Sequence, residues 1–394
     1  MNALQGFRVI DLSHVIAGPT CGHYLAQQGA EVIKVEEPLQ GDVLRAGKRV
    51  QVDAGVSVGF ATLNAGKRSV AIDLKTPEGI AALKQLAATA DVFIENFRPG
   101  VVKRLGIDFD AIRALKPDII YVSISGFGQE GEWSSRGAYD HVVQALTGMM
   151  SLQGSEGDDP IKVGFPVIDA AAGMVAAQGV LSALVRRLRT GEGARLDVSM
   201  AQAALQLMLS PAVAAGFEGR DRPRPGNRGF SGSPGAATFR CADGWVATAA
   251  NTGPQFKRLC AELGDAALCD DETLLDVQAL RAGEGFVVAR NEAALHERLA
   301  AAFARQPAGE LERKLAAVGV PVARVRSLSE FVGEYAAGGM LTAPVSSVTY
   351  PGGSVLDLGP GFKADGQTPA PRKPAPRLGE GNAELIGAPV RSKD

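Results

Sequence analysis

Little in this 394-residue chain commits it to metal, redox or nucleic-acid chemistry. Its four cysteines (Cys21, Cys241, Cys260, Cys269) show no C-x-x-C spacing, and its four histidines (His14, His23, His141, His296) are scattered. Neither a disulfide framework nor a zinc site follows, so no metal ligand is assigned. No block of one charge sign occurs: 41 Lys+Arg are interspersed with 43 Asp+Glu, and nothing could neutralise a run of phosphates. The opening MNALQGFRVIDLSHV lacks a charged-then-apolar leader, and the apolar runs read as too short to cross a bilayer. A cytoplasmic protein is expected, with neither nucleic acid nor membrane as partner. There is no G-x-S-x-G elbow, which leaves a hydrolase triad without its nucleophile.

What is present is a composition 46% hydrophobic and 21% charged, enough for two domains with substantial cores. FRVIDL, EVIKVE, DVFIEN and DIIYVSIS read as strands, nearly continuous in apolar character as buried parallel strands are. Between them lie helical patterns. One begins near Pro19, and TPEGIAALKQLAATA carries Thr76 as N-cap with Pro77 in the first turn. This alternation predicts an α/β fold, a doubly wound and mostly parallel sheet, with ligands expected outside the carboxyl ends of its strands. A long helix is expected from about Asp169 to Leu188 and another over AQAALQLMLSPAVAAGF. The expected organisation is a large domain over 1–217, a Gly/Pro/Arg-rich linker or lid over 218–235, a small α+β domain over 236–335, and a return segment and tail over 336–394. Within the small domain, ATFRCADGWVATAA reads as a hairpin turning at Ala242, Asp243 and Gly244.

Several motifs invite a function. GFGQEG, at Gly126–Gly131, fits G-x-G-x-x-G after a strand, but the EWSSRGAYD that follows lacks the helix a dinucleotide site requires. His141 beside Asp140, and His14 beside Ser13, are neighbours in sequence that seldom face each other. Glu36 and Glu37 read as a solvated strand end. Lys67, Arg68, Lys75, Arg98, Lys103 and Arg104 cluster around two strand ends, as an acidic, phosphate-bearing ligand would need; surface bases balanced by local acids explain them equally well. In VGFPVIDAAAGM, Asp169 is the one charge between two apolar runs, either a helix N-cap or a reactive carboxylate in a dry pocket.

These words, with LSHVIAGP, GAEVIKVE, NAGKRSVAIDLKTPEG, ADVFIENFRPGV, AYDHVVQALTG, RTGEGARLDVSMAQAAL and PAPRLGEGN, resemble the family III coenzyme A transferases, in the same order through nearly the whole chain. The resemblance implies transfer of CoA from an acyl-CoA donor to a free carboxylic acid, through aspartyl-acyl anhydride and aspartyl-CoA thioester intermediates on Asp169. It maps CoA contacts onto Ala17, Leu74, Lys75, Asn96, Phe97, Arg98, Arg104 and Tyr139, while Glu37 stands where formyl-CoA transferase has a basic residue. A glycine lid would fall on Gly229, Gly232 and Gly235. CoA is a substrate and no permanently bound cofactor is implied; the partner is a second copy in an interlocked homodimer. Within the family, the α-methylacyl-CoA racemases carry histidine immediately before the position of Asp140, where this chain has Tyr139, so transfer is favoured over racemisation. A non-catalytic acyl-CoA-binding protein is the rival of another class. Small dicarboxylic acids with succinyl-CoA as donor are the expected substrates. As N-cap, Asp169 would be kept ionised and oriented by the helix start.

Overall fold

The computed structural model describes residues 2–46, 50–283, 285–338, 346–366 and 372–387. The chain divides into two compact units. One comprises Met1–Met150, Lys162–Asp221 and Gly338–Asp394; the other comprises Ser151–Ile161 and Arg222–Ala337.

In the first unit the strands up to residue 199 are β1 (Arg8–Asp11), β2 (Glu31–Glu36), the short antiparallel pair β3 (Gln51–Asp53) and β4 (Val56–Ser57), β5 (Arg68–Ala71), β6 (Val92–Glu95), β7 (Ile120–Ser125) and β8 (Ala194–Ser199), and a further antiparallel pair, Ser346–Tyr350 with Gly353–Asp357, follows in its C-terminal segment. Six of them form one parallel sheet in the order β5-β2-β1-β6-β7-β8. The chain builds outward from β1 through β2 to β5, then returns to the other side of β1 and continues through β6. This reversal opens a crevice at the carboxyl ends of β1 and β6, where open α/β sheets place their ligands. The fold class is as expected: mixed α/β with one large parallel sheet of six strands and additional smaller sheets.

The α-helices of this unit up to residue 218 are α1 (Ala17–Gln27), α2 (Val58–Asn64), α3 (Pro77–Ala87), α4 (Val101–Leu105), α5 (Phe109–Leu115), α6 (Asp140–Leu146), α7 (Val167–Thr190), α8 (Met200–Leu207) and α9 (Leu209–Glu218), and a last short one covers Asn382–Leu385. α3 starts as its sequence dictates, with the Thr76 side chain accepting from Gly79 N at 3.1 Å. α1 begins at Ala17, two residues before Pro19. The predicted helix over 201–217 is two helices bent by 88° at Met208. Pro211 accounts for the break, because it has no N–H to offer Leu207 O. α7 overturns an expectation: at 24 residues it is long and apolar enough to cross a bilayer. Here it is a core helix, with Ile168, Ala172, Ala176 and Val180 fully buried. Gly173 lets it cross α1 closely, since a Cβ there would lie 2.6 Å from Ala17 O.

One sheet face is apolar: Ile10, Ile33, Val70, Phe93 and Tyr121 pack with Leu83, Leu86 and Ile112 of α3 and α5. At the other lie buried charges, with Lys67 Nζ 2.9 Å from Asp11 Oδ2, Lys34 Nζ 3.0 Å from Asp42 Oδ2, and Arg45 on Glu36 at 2.7 Å. Glu36 is therefore not the solvated strand end its sequence suggested; Arg45 and Ser69 Oγ neutralise and bind it. The C-terminal segment returns to this unit. Asn382 Oδ1 accepts from Ala71 N at 2.8 Å, covering the edge strand β5.

In the second unit β9 (Ala236–Arg240), β10 (Trp245–Ala249) and β11 (Val322–Arg324) form an antiparallel sheet in the order β11-β10-β9. The hairpin turns at residues 241–244 as read from the sequence. Phe239, Phe256, Leu299 and Phe303 lie in its core.

Candidate active site

Asp169 is the third residue of α7 and not its N-cap; Pro166 holds that position and makes no side-chain cap. The cap comes from α6. Asp140 Oδ2 accepts from Ile168 N at 2.7 Å and from Asp169 N at 3.0 Å, satisfying two N–H groups that a helix start leaves unpaired. Asp140 Oδ1 in turn accepts from Gln144 Nε2 at 2.5 Å, and Gln144 Oε1 accepts from Val163 N at 2.8 Å. With its helix capped by another residue, the Asp169 carboxylate is left to face a cavity of about 310 Å³.

That carboxyl is pushed up to about 7, first by burial and then by the charge of Asp140. The helix start does not hold it fully ionised, because desolvation and the like charge act against the N-terminal field. The consequence for stability has a definite sign. The folded protein retains this proton up to about pH 7, whereas an unfolded Asp releases it near 3.8, so stability from this site falls as pH rises between the two. Asp169→Asn is therefore expected to raise Tm by a few degrees at pH 8 and to change it little at pH 4, a difference that paired thermal melts would detect.

Three segments form the rest of the wall. The turn after β1 supplies His14, Val15, Ile16 and Ala17. Val15 has φ +68°, a strained conformation for a β-branched residue. Its N–H donates to Asp42 at 3.2 Å, Lys34 Nζ donates to Ser13 O at 2.7 Å, and Asn96 both accepts from His14 N at 3.0 Å and donates to His14 O at 2.8 Å. The turn after β6 supplies Asn96, Phe97 and Arg98. Glu95 anchors it: Oε2 accepts from Phe97 N at 2.9 Å, Oε1 has no partner among the described residues, and burial raises this carboxyl to about 7. The loop after β7 supplies Ser134, Arg136, Ala138 and Tyr139, and folds back so tightly that a Cβ on Gly126 would stand 2.2 Å from Ala138 Cβ. Arg136 lies over the Trp133 ring at 4.5 Å, a cation–π contact. Among the described residues neither Arg98 nor Arg136 has a carboxylate at ion-pair distance.

A second cavity of about 200 Å³ adjoins the first and is lined by Glu37, Asp73, Leu74 and Lys75; His14 and Phe97 line both. The rings of these two residues stand 5.7 Å apart and form the partition. Ala17, Asn96, Phe97, Arg98 and Tyr139 thus gather at the cavity of Asp169, and Leu74 and Lys75 at its neighbour. Arg104 is exposed on α4 and lines neither. Lys67 and Arg68, from the same basic cluster, are committed to Asp11 and to Glu31 and Glu384. His141 is exposed and lines neither cavity. Gly229, Gly232 and Gly235 belong to the second unit, where Gly229 N donates to Ala236 O at 2.6 Å and Gly235 O accepts from Ala250 N at 2.9 Å. GFGQEG enters turns and opens no helix. No group of His, Cys, Asp or Glu among the described residues is placed to hold a metal ion.

The sequence did not single out Asp140 as a cap, nor Gln144, Glu95 or Arg136. Only the Asp140–Gln144 pair left a signal, the i, i+4 spacing that puts two side chains on one helix face.

A model of CoA-transferase family III matches residues 4–382. The succinate–glutarate CoA-transferase of Agrobacterium fabrum is 39% identical over 274 residues, 68% of each chain. The succinyl-CoA:glutarate CoA-transferase of Mus musculus is 30% identical over 392 residues, 99% of this chain and 87% of the mouse protein. The crystal structure of a CaiB/BaiF family protein from Brucella suis is similar with a TM-score of 0.84 at 28% identity, covering 98% of both chains.

Proposed function

The chain belongs to CoA-transferase family III, and from that premise we propose that it moves CoA from an acyl-CoA donor to a free dicarboxylic acid through covalent intermediates on Asp169. The observation that carries this is a lone carboxylate, freed from capping its own helix, facing a cavity at the switch point of the sheet. In the first step a carboxylate oxygen of Asp169 attacks the thioester carbonyl, the C–S bond breaks, and CoA leaves as the thiolate. The thiolate then attacks the Asp169 side of the mixed anhydride, expelling the donor acid as its carboxylate and leaving an aspartyl-CoA thioester. An acceptor carboxylate attacks that thioester, and the returning thiolate takes the acceptor's acyl carbon, restoring Asp169. No net proton or electron is transferred, so a carboxylate and preorganised N–H donors are sufficient.

Binding follows from the partition. The nucleotide end of CoA would take the cavity of Leu74 and Lys75, and the thioester that of Ala17, Asn96, Arg98 and Tyr139. Arg104, exposed on α4, would meet a phosphate from outside. Arg98 and Arg136, without carboxylate partners among the described residues, would supply the charge to receive a second carboxylate or a phosphate. Succinyl-CoA as donor is consistent with the names of the Agrobacterium and mouse relatives. The Gly229–Gly235 lid, the interlocked homodimer and the cytoplasmic setting belong to the same proposal. Racemisation gains no observation: Tyr139 stands on the wall, His141 lies off it, and the ring of His14 packs against Phe97.

Incubation with succinyl-CoA followed by hydroxylamine or borohydride should mark one peptide, the one containing Asp169, with the mass of the hydroxamate or alcohol. A parallel panel of acceptors should rank dicarboxylic above monocarboxylic acids. Unmarked Asp169 during active exchange would sink the mechanism. Solvent deuterium entering the α-carbon without exchange would establish the racemase instead.

A further inference from the structure

The position of Asp169 depends on groups outside its own helix. Its backbone N–H and that of Ile168 are held by one oxygen of Asp140, and the other oxygen is held by Gln144, which is 1% exposed. The same Gln144 amide, through its own oxygen, ties down Val163 at the head of the segment that leads into α7. One buried side chain therefore fixes both the carboxylate that caps the helix and the strand of chain that enters it. We infer that Asp140 and Gln144 together are positioning residues of the transfer, an inference resting on Asp169 as the nucleophile: Gln144 locks Asp140, and Asp140 sets where Asp169 stands in the cavity.

The lock acts on charge as well as geometry. The charged and titratable groups around Asp169 are Asp140 on α6, His14 on the turn after β1, Arg98 on the turn after β6, and Arg136 and Tyr139 on the loop after β7; the first turn of α7 carries no other charge. Of these, Asp140 alone joins burial in raising the Asp169 carboxyl. A carboxylate made more basic this way is a better nucleophile once ionised, at the cost of being less ionised at neutral pH. A residue that merely stabilised α7 would lack this second effect.

Asp140→Asn and Gln144→Leu separate the two contributions. The asparagine keeps an oxygen to accept from the helix, removes the charge and turns an NH2 toward Gln144, so the acid limb of kcat/KM against pH should move down by about one unit, a shift that the charge-retaining Gln144→Leu should not show. The leucine keeps the charge and releases the lock, so kcat should fall about 10- to 100-fold while KM for the acyl-CoA donor stays within about twofold. Thermal melts of both variants establish that they are folded. An unmoved acid limb in folded Asp140→Asn, or a Gln144→Leu enzyme with unchanged kcat, overturns the inference. Covalent capture on the wild-type enzyme is run alongside: no adduct on Asp169 removes the nucleophile assignment itself, whereas an adduct with indifferent variants removes only the role of Asp140 and Gln144.

Discussion

Asp169→Ala is expected to lower kcat for CoA exchange by about four orders of magnitude or more, with acyl-CoA binding changed by no more than about threefold. The size follows from what the residue would do. Every bond made or broken in the proposed cycle passes through its carboxylate, so no neighbour can share the task, and Asp140 is already occupied by two helix N–H groups and Gln144. Binding should persist because the groups that would meet CoA stand on the turns after β1, β5 and β6, on the loop after β7 and on α4, and none of them is carried by α7. Isotopically labelled acceptor exchanged into the CoA ester measures the first quantity, and equilibrium titration with a non-reactive thioether analogue measures the second. Exchange that survives the substitution would eliminate Asp169 as nucleophile. A large loss of affinity together with activity would show that it serves binding instead. In the active enzyme, exchange should decline as pH drops through about 7, because the attacking form is the ionised one.

Lys67→Met is expected to destabilise the protein by about 3–5 kcal/mol, the largest effect on stability anticipated for a single exchange. Lys67 and Asp11 are both wholly buried, 2.9 Å apart. Burial by itself would raise the Asp11 carboxyl, yet the charges of Lys67 and Lys34 and the Ser13 hydrogen bond together hold it below the usual carboxylate range. Removing Lys67 leaves a buried anion whose nearest cation is gone. Gly22 of α1 closes over the pair so tightly that a Cβ there would lie 2.7 Å from Asp11 Oδ2. Adding Asp11→Asn to Lys67→Met should recover much of the loss, since the two residues are in contact and their effects cannot add. Urea unfolding of the two single variants and the double variant measures the coupling; purely additive losses would show that the pair is not a unit.

The strands were legible because they are rich in Val and Ile and nearly continuous in apolar character, and the turns because they are local: Thr76 and Pro77 start α3, and the turn at residues 241–244 joins β9 to β10, as their chemistry demands. Asp169 stood out because a lone charge in an apolar run needs an explanation. Its cap did not, because Asp140 lies 29 residues away and only the packing of α6 on α7 brings it to the helix start. The basic cluster between residues 64 and 104 shows the same limit. The two opposite ends of β5 send Lys67 beneath α1 and Lys75 to a cavity, and nothing in the local sequence says which side chain turns inward. α7 was misjudged for a different reason: its alanines and glycines are apolar enough for a bilayer, but their small size serves close helix crossing.

The partition of His14 and Phe97 between the two cavities has a kinetic meaning. On the proposed cycle the thiol of CoA is expelled twice and must twice return. With the nucleotide moored behind the partition as proposed, the expelled sulfur would remain on a leash, and its recapture would be intramolecular rather than a search through bulk solvent. CoA would then behave as a swinging arm that stays aboard while the carboxylic acids come and go.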